Sequence, residues 1–252
     1  MMRDRSLRYL HQIQHFEYPP GSARQVLLEP MRNYIKKSLE KGLNVFSEKP
    51  FVFDSEDKNF KIAKRLVELA KEKNKIVSVN TQWACLFNYN FNFPKKIGGF
   101  EMLMEPGFRG IGMLKEHLAH MNSILIKLIP NGKANEILFS KKTEDRMDLT
   151  FCYSNGKNKC KVRYILNYKM EGVRDVWFKI NGKKYTREVS QNYTQKIIFG
   201  NEEIKIEDPF KTLIKNFVEA VKNKDTSCLL ISNKEILENI KLQDEIIKEY
   251  LN

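Results

Sequence analysis

The chain has 252 residues, enough for one large or two modest domains whose core needs no disulfides. No run approaches the roughly 18 consecutive apolar residues of a membrane span, and the first thirty residues lack the apolar stretch of a secretion signal, so a cytoplasmic protein is expected. The net charge of +13 is spread along the sequence, with 16 basic against 10 acidic residues in 1–93 and 28 against 21 in 94–252. That is a solvated, lysine-rich surface interleaved with glutamate rather than a basic nucleic-acid module, and neither nucleic acid nor membrane is an expected partner. Cys85, Cys152, Cys160 and Cys228 are too dispersed for a redox pair or a compact zinc site and read as reduced thiols.

Tyr18-Pro19-Pro20-Gly21 punctuates the first thirty residues as a turn or extended loop. From 31 to 41 the spacing predicts a helix with Tyr34, Ile35 and Leu39 on one side, ended by Gly42 in a left-handed conformation. Leu43 to Phe46 reads as a short strand, followed by Ser47-Glu48-Lys49-Pro50. A second helix follows, with Asp54 as cap, Asp57 at its positive end and Phe60, Ala63, Leu66, Val67 and Ala70 at helical spacing. A buried strand, Ile76 to Val79, comes next. This is α/β grammar, in which parallel strands carry ligands at their carboxyl ends, here Ser47 to Pro50 and Asn80 to Trp83.

The aromatic segment 87–96 reads as a crossing between domains, either lining a cleft or packing the junction. An amphipathic helix is predicted over 111–128, then strands at 136–139, 147–152, 162–168, 176–180, 185–189 and 195–199, with Asn155-Gly156 and Asn181-Gly182 suited to tight hairpins. Asp208-Pro209 opens an apolar helix, and Ser232 with Glu235 forms a capping box for the last one. The expected fold is an incomplete Rossmann-like parallel-sheet domain over 1–93, joined to an α+β domain with a mixed or antiparallel sheet over 94–252. Apolar positions on more strands than two helices can cover predict a homodimer through that sheet.

On the helix at 111–128, Glu116 and His120 share a face away from the apolar stripe, whereas His117 falls inside the stripe and reads as structural. Two readings stand for the pair: Glu116 polarises His120 for proton exchange, or the two are an ordinary exposed i,i+4 pair. No fourth ligand supports a metal at Glu116, His117 and His120. Lys49 leaves a strand end on a loop stiffened by Pro50, where it either holds a ligand oxygen or is simply solvated.

These segments resemble the Gfo/Idh/MocA oxidoreductases, the glucose-fructose oxidoreductase and inositol dehydrogenase group. The resemblance rests on Lys41 to Pro50 with its Glu48-Lys49-Pro50 ending, on Gly110-Ile111-Gly112, on Glu116 through His120, and on the terminal helix pair. It implies NAD or NADP as cofactor, a sugar, cyclitol or related alcohol as substrate, and a homodimer or pairing with a complete homologue. Carried over residue by residue, it makes Glu48, Lys49 and Pro50 cofactor-binding, Lys49 a holder of the reacting oxygen, His120 the proton acceptor and Glu116 an orienting group.

The chain departs from the pattern where the diphosphate binds. Only Gly21 and Gly42 precede Lys49, so no GxGxxG turn is present, and Trp83 stands where a basic residue often follows the strand. Three explanations stand side by side: a truncated chain, a divergent protein with altered cofactor geometry, and a noncatalytic dimerisation scaffold. With no glycine cradle, weak or absent cofactor binding is expected.

Overall fold

Gly42 ends the first helix and thereby fixes where the first strand begins. The structure, a computed structural model, describes residues 28–53, 58–190 and 194–252. Helix α1 (Leu28–Glu40) buries Ile35 and Leu39, while Tyr34, expected beside them, points to solvent. Gly42 takes φ +73°, and the bonds from Leu43 N–H to Ser38 C=O and from Gly42 N–H to Leu39 C=O form a Schellman cap. The cap consumes Leu43, so strand β1 is Val45–Ser47 rather than 43–46.

The expected turn at Tyr18 and the expected contributions of Asp54 and Asp57 lie outside the described residues. Helix α2 (Asn59–Glu72) buries Ala63, Leu66, Val67 and Ala70, but Phe60 is partly exposed. Its first amides are capped from the far end of the chain: the Asp244 carboxylate accepts from Phe60 N–H at 2.9 Å and from Asn59 Nδ2 at 2.8 Å. Strand β2 (Val77–Val79) is wholly buried and runs parallel to β1, with Val45 opposite Val77 and Ser47 opposite Val79. Both carboxyl ends therefore open at the same edge, as in the expected Rossmann-like half.

After a 3₁₀ segment, Gln82–Asn88, an eight-stranded mixed sheet is built from β3 (Gly99–Met104), β4 (Lys133–Lys142), β5 (Arg146–Ser154), β6 (Lys159–Asn167), β7 (Val176–Ile180), β8 (Lys183–Val189), β9 (Gln195–Phe199) and β10 (Glu202–Ile206). Its order is β10-β9-β8-β7-β3-β6-β5-β4, and only β3 and β6 pair in parallel. Sequence reading missed β3 and β10. Strand β3 is central, and its alternation, with Phe100, Met102 and Met104 inward, is the period-2 signal that marks it. Asn181-Gly182, both at positive φ, joins β7 to β8, and the Asn181 amide oxygen also accepts from Gly98 and Gly99 N–H, which pins the start of β3.

The inner face of the sheet is packed by helix α3 (Ile111–Leu128), by the crossing segment and by the last helix. The crossing aromatics pack rather than line an open cleft: Phe91 stacks on Phe93 at 5.3 Å and Phe93 meets Tyr185 at 5.6 Å. The outer face is not the apolar surface expected. Arg163 pairs with Asp148 and Glu101, Lys179 with Glu101, and Lys196 with Glu188 and Glu203, with Trp177 flanked by Lys179 and Lys184.

Helices α4 (Pro209–Asn223) and α5 (Asn233–Leu251) close the fold with the expected Asp208 cap and Ser232–Glu235 capping box. Helix α5 joins both cores: Ile236 and Ile240 pack with α1, α2 and the parallel strands, while Leu242, Ile246 and Ile247 pack with the large sheet. A buried polar chain fixes the junction. Tyr164 donates to Asn122 Oδ1, Asn239 donates to Ala119 C=O, and Gln243 donates to Asn239 Oδ1. No helix among the described residues is long and apolar enough to cross a membrane.

Candidate functional site

The carboxyl end of β1 is held by main chain and by one amide side chain. Asn80 N–H donates to Ser47 C=O, and Asn80 Nδ2 reaches both Glu48 carboxylate oxygens at 3.0 and 3.1 Å. Glu48 is thus bound back to the end of β2. The Lys49–Pro50 peptide is cis, and Pro50 is buried beside Phe51 and Val52 of the smaller core. The Lys49 ammonium crosses to α3 and donates to the main-chain carbonyl of Glu116 at 2.5 Å.

Glu116 does not engage His120. Its carboxylate accepts from Gly107 N–H at 2.8 Å and from Arg174 Nη1 at 3.2 Å. The reason is the direction of helical side chains, which lean toward the helix N-terminus, so Glu116 lies over the loop preceding α3 instead of the following turn. Glu116 therefore ties the 105–109 loop to the 168–175 loop. The expected polar face is also not a solvated one, because α3 is enclosed by the sheet, by α5 and by the 3₁₀ segment, which buries His117, His120 and Ser123 together.

His120 accepts a hydrogen bond from Gln82 N–H at Nδ1, 3.3 Å away, which assigns the proton of the neutral ring to Nε2. Burial, and then the Lys49 charge, hold its pKa well below the usual imidazole value. The basicity that a polarising glutamate would confer is therefore absent. His117 is held down the same way, by burial first and then by Lys49, His120, Arg174 and Arg187. Its Nδ1 stands 3.8 Å from Glu116, and with the ring neutral this contact is not an ion pair. Nδ1 finds no hydrogen-bond partner among the described residues.

Sequence reasoning missed Arg174 and Arg187. Arg187 Nη2 donates to Arg174 C=O, and its guanidinium lies 5.8 Å from the Trp83 ring centroid, within cation–π range. A guanidinium from β8 thus stands beside Trp83, just beyond the end of β2. Local sequence carries no signal for this, since β8 and the 3₁₀ segment are a hundred positions apart. The structure thus gathers Lys49, Glu116, His117, His120, Arg174 and Arg187 at one junction, with Glu48 and Pro50 behind Lys49.

A family model described as an oxidoreductase family with an NAD-binding Rossmann fold matches residues 29–81. No curated protein matches the sequence. Among solved structures, an oxidoreductase from Pseudomonas syringae is 16% identical with TM-score 0.64 over 89% of this chain and 74% of its own. A dehydrogenase from Clostridium difficile is 15% identical with TM-score 0.62 over 88% and 76%. A Gfo/Idh/MocA family oxidoreductase from Vibrio cholerae is 12% identical with TM-score 0.59 over 88% and 75%. The chain has the fold of these oxidoreductases.

Among the described residues no glycine turn leads from β1 or β2 into a helix whose amides could meet a diphosphate, so these residues by themselves do not hold a whole dinucleotide.

Proposed function

We propose that the chain is a divergent member of the nicotinamide-dependent oxidoreductases of Gfo/Idh/MocA type, which binds a sugar, cyclitol or related alcohol at the Lys49–His120 junction, with hydride transfer weak or absent. The observation that supports this most is the bond from Lys49 to the Glu116 carbonyl, because it holds a cation from the α/β half against the helix that carries both histidines. In this reading Lys49 attracts a ligand hydroxyl or carbonyl oxygen, and His120, neutral and protonated at Nε2, donates to a second oxygen. Glu116 acts as a positioning residue through Gly107 and Arg174. Glu48 and Pro50 set the path of the Lys49 loop rather than touching a cofactor.

Isothermal titration of the chain with myo-inositol and D-glucose, and with NAD(H) and NADP(H), tests the reading. Polyol binding that weakens in Lys49→Ala, with cofactor dissociation constants above about 1 mM, is the expected pattern. Failure of both polyols to bind would remove the site, and a low-micromolar cofactor constant would overturn the expectation of weak cofactor binding and put a divergent enzyme first.

A second reading, a noncatalytic protein pairing through the outer sheet face with a second copy or a complete homologue, is favoured by one observation. That face presents an ordered ladder of ion pairs around Trp177 instead of disordered lysines. Sedimentation at several concentrations separates the two, and a monomer persisting at tens of micromolar counts against pairing between copies.

A further inference from the structure

The eight-stranded sheet ends on β4 at one edge and on β10 at the other, and the two edges differ. Strand β4 is blunted against further pairing. Its register against β5 breaks between Asn135 and Leu138 and again between Phe139 and Lys141, Glu136 stands at φ +57°, and Lys133, Lys141 and Lys142 lie along it. Strand β10 has none of these breaks. It pairs with β9 in continuous register from Glu202 to Ile206, and among the described residues no other strand pairs with it. Glu202, Glu203 and Lys205 are exposed.

The turn that forms β10 decides which main-chain groups this edge offers. Gly200-Asn201 joins β9 to β10 as a two-residue hairpin with Gly200 at φ +61°, so Phe199 and Glu202 are its closing, hydrogen-bonded pair. Alternation along an antiparallel ladder then turns the N–H and C=O of Glu202, Ile204 and Ile206 toward β9, and those of Glu203 and Lys205 away from it. Beyond them the edge is closed, because Glu207 N–H donates to the Tyr89 hydroxyl at 2.8 Å. Ile204 and Ile206 lie on the inner face, packed with the large core. Glu203 and Lys205 therefore lie on the outer face, where Lys196 bonds Glu203 at 2.9 Å.

This short edge is complementary to itself. An added antiparallel strand must set outward-turned residues opposite outward-turned residues, and one register does so for both: Glu203 opposite Lys205 of a second copy, and Lys205 opposite its Glu203. The two-fold axis then passes between the two Ile204 residues, and opposite charges face each other at both crossings. Sliding one strand by two residues either way sets Glu203 against Glu203 or Lys205 against Lys205, like charges that oppose pairing. We infer that β10 is an interaction edge and that it takes a second copy of this chain, antiparallel about an axis at Ile204, so that two eight-stranded sheets become one. The edge is a different surface from the outer sheet face, and the inference does not depend on the polyol reading.

Sedimentation equilibrium of the full chain and of two charge-reversed variants decides it. Lys205→Glu and Glu203→Lys each set like charges opposite at both crossings, and each should weaken self-association at least about tenfold. An equimolar mixture of the two variants regains opposite charges at both crossings and should associate as the unaltered chain does. Lys205→Glu leaves the fold intact, because the new carboxylate faces Lys196, the β9 residue paired with position 205. If Glu203→Lys does not fold, Ile204→Cys tests the axis instead. Facing residues at a non-hydrogen-bonded antiparallel site lie about 4.5 Å apart at Cα, within disulfide reach, so oxidised glutathione should cross-link this variant into dimers that the unaltered chain does not form. A chain still monomeric at about 100 μM, where even a weak interface of this size associates, would overturn the inference. So would two folded variants whose mixture associates no better than either alone, or an Ile204→Cys chain that does not cross-link. Association unmoved by either reversal but lost in Trp177→Ala would overturn it in favour of the outer face.

Discussion

The ammonium of Lys49 donates to the main-chain carbonyl of Glu116, 67 positions later, and so joins the end of β1 to helix α3. A carbonyl does not titrate, so this tie between the two halves holds at any pH at which the lysine is charged. It also brings a fixed positive charge to both histidines.

Replacing Lys49 with Met removes a partly buried charge-assisted bond and should lower unfolding free energy by about 1 to 2 kcal/mol. It should also raise the pKa of His117 and His120, because a cation that disfavours their protonation is gone. Urea denaturation and imidazole NMR titration check the two effects separately. Unchanged histidine titration would mean that Lys49 does not act on the rings.

Acid should destabilise the fold before its carboxylates titrate. The folded pKa of His117 and of His120 is depressed, so the unfolded chain binds more protons below about pH 6.5. The stability present above that pH is lost as pH falls from there toward the folded values, at about 1.4 kcal/mol per pH unit for each ring. Denaturation midpoints at pH 8, 7, 6 and 5.5 measure it, and His117→Asn should halve the slope. Equal midpoints at pH 7 and 5.5 would contradict the buried neutral assignment.

Gly132 lies against a buried ring. A Cβ there would stand 2.2 Å from Tyr153, which is 1% exposed and cannot swing away. Gly132→Ala should cost about 1 to 3 kcal/mol through overpacking, and Gly156→Ala, where no atom crowds the added carbon, serves as the contrast for backbone strain alone. Thermal melts of both variants test this, and a larger loss at Gly156 would reverse the assignment.

Asp244 caps a helix to which it does not belong. Asp244→Ala should cost about 0.5 to 2 kcal/mol by freeing the Phe60 main-chain amide and the Asn59 side-chain amide at the start of α2, and Asp244→Asn should recover part of it. Hydrogen exchange at Phe60 N–H gives a local readout, and protection unchanged in Asp244→Ala would show that the cap contributes nothing.

Sequence by itself determined what depends on neighbours along the chain. The Gly42 stop, the bounds of α3, the Asp208 and Ser232 caps and the Asn181-Gly182 hairpin follow from backbone dihedrals and first-turn hydrogen bonds, which a few adjacent residues specify. The same local rules marked Lys49 as leaving a strand end on a loop stiffened by Pro50, whereas the Glu48-Lys49-Pro50 motif was picked out by resemblance. Tertiary structure decided the rest. Helical periodicity places Glu116 and His120 on one face but cannot say that other elements cover that face, nor that Glu116 turns back to Gly107 and Arg174. The convergence of Arg187 on Trp83, of Lys49 on Glu116 and of Asp244 on α2 joins residues 67 to 185 positions apart or drawn from separate elements. Such contacts arise only once burial of the two cores has brought the strands and helices together, because no local dihedral preference encodes a partner that far along the chain.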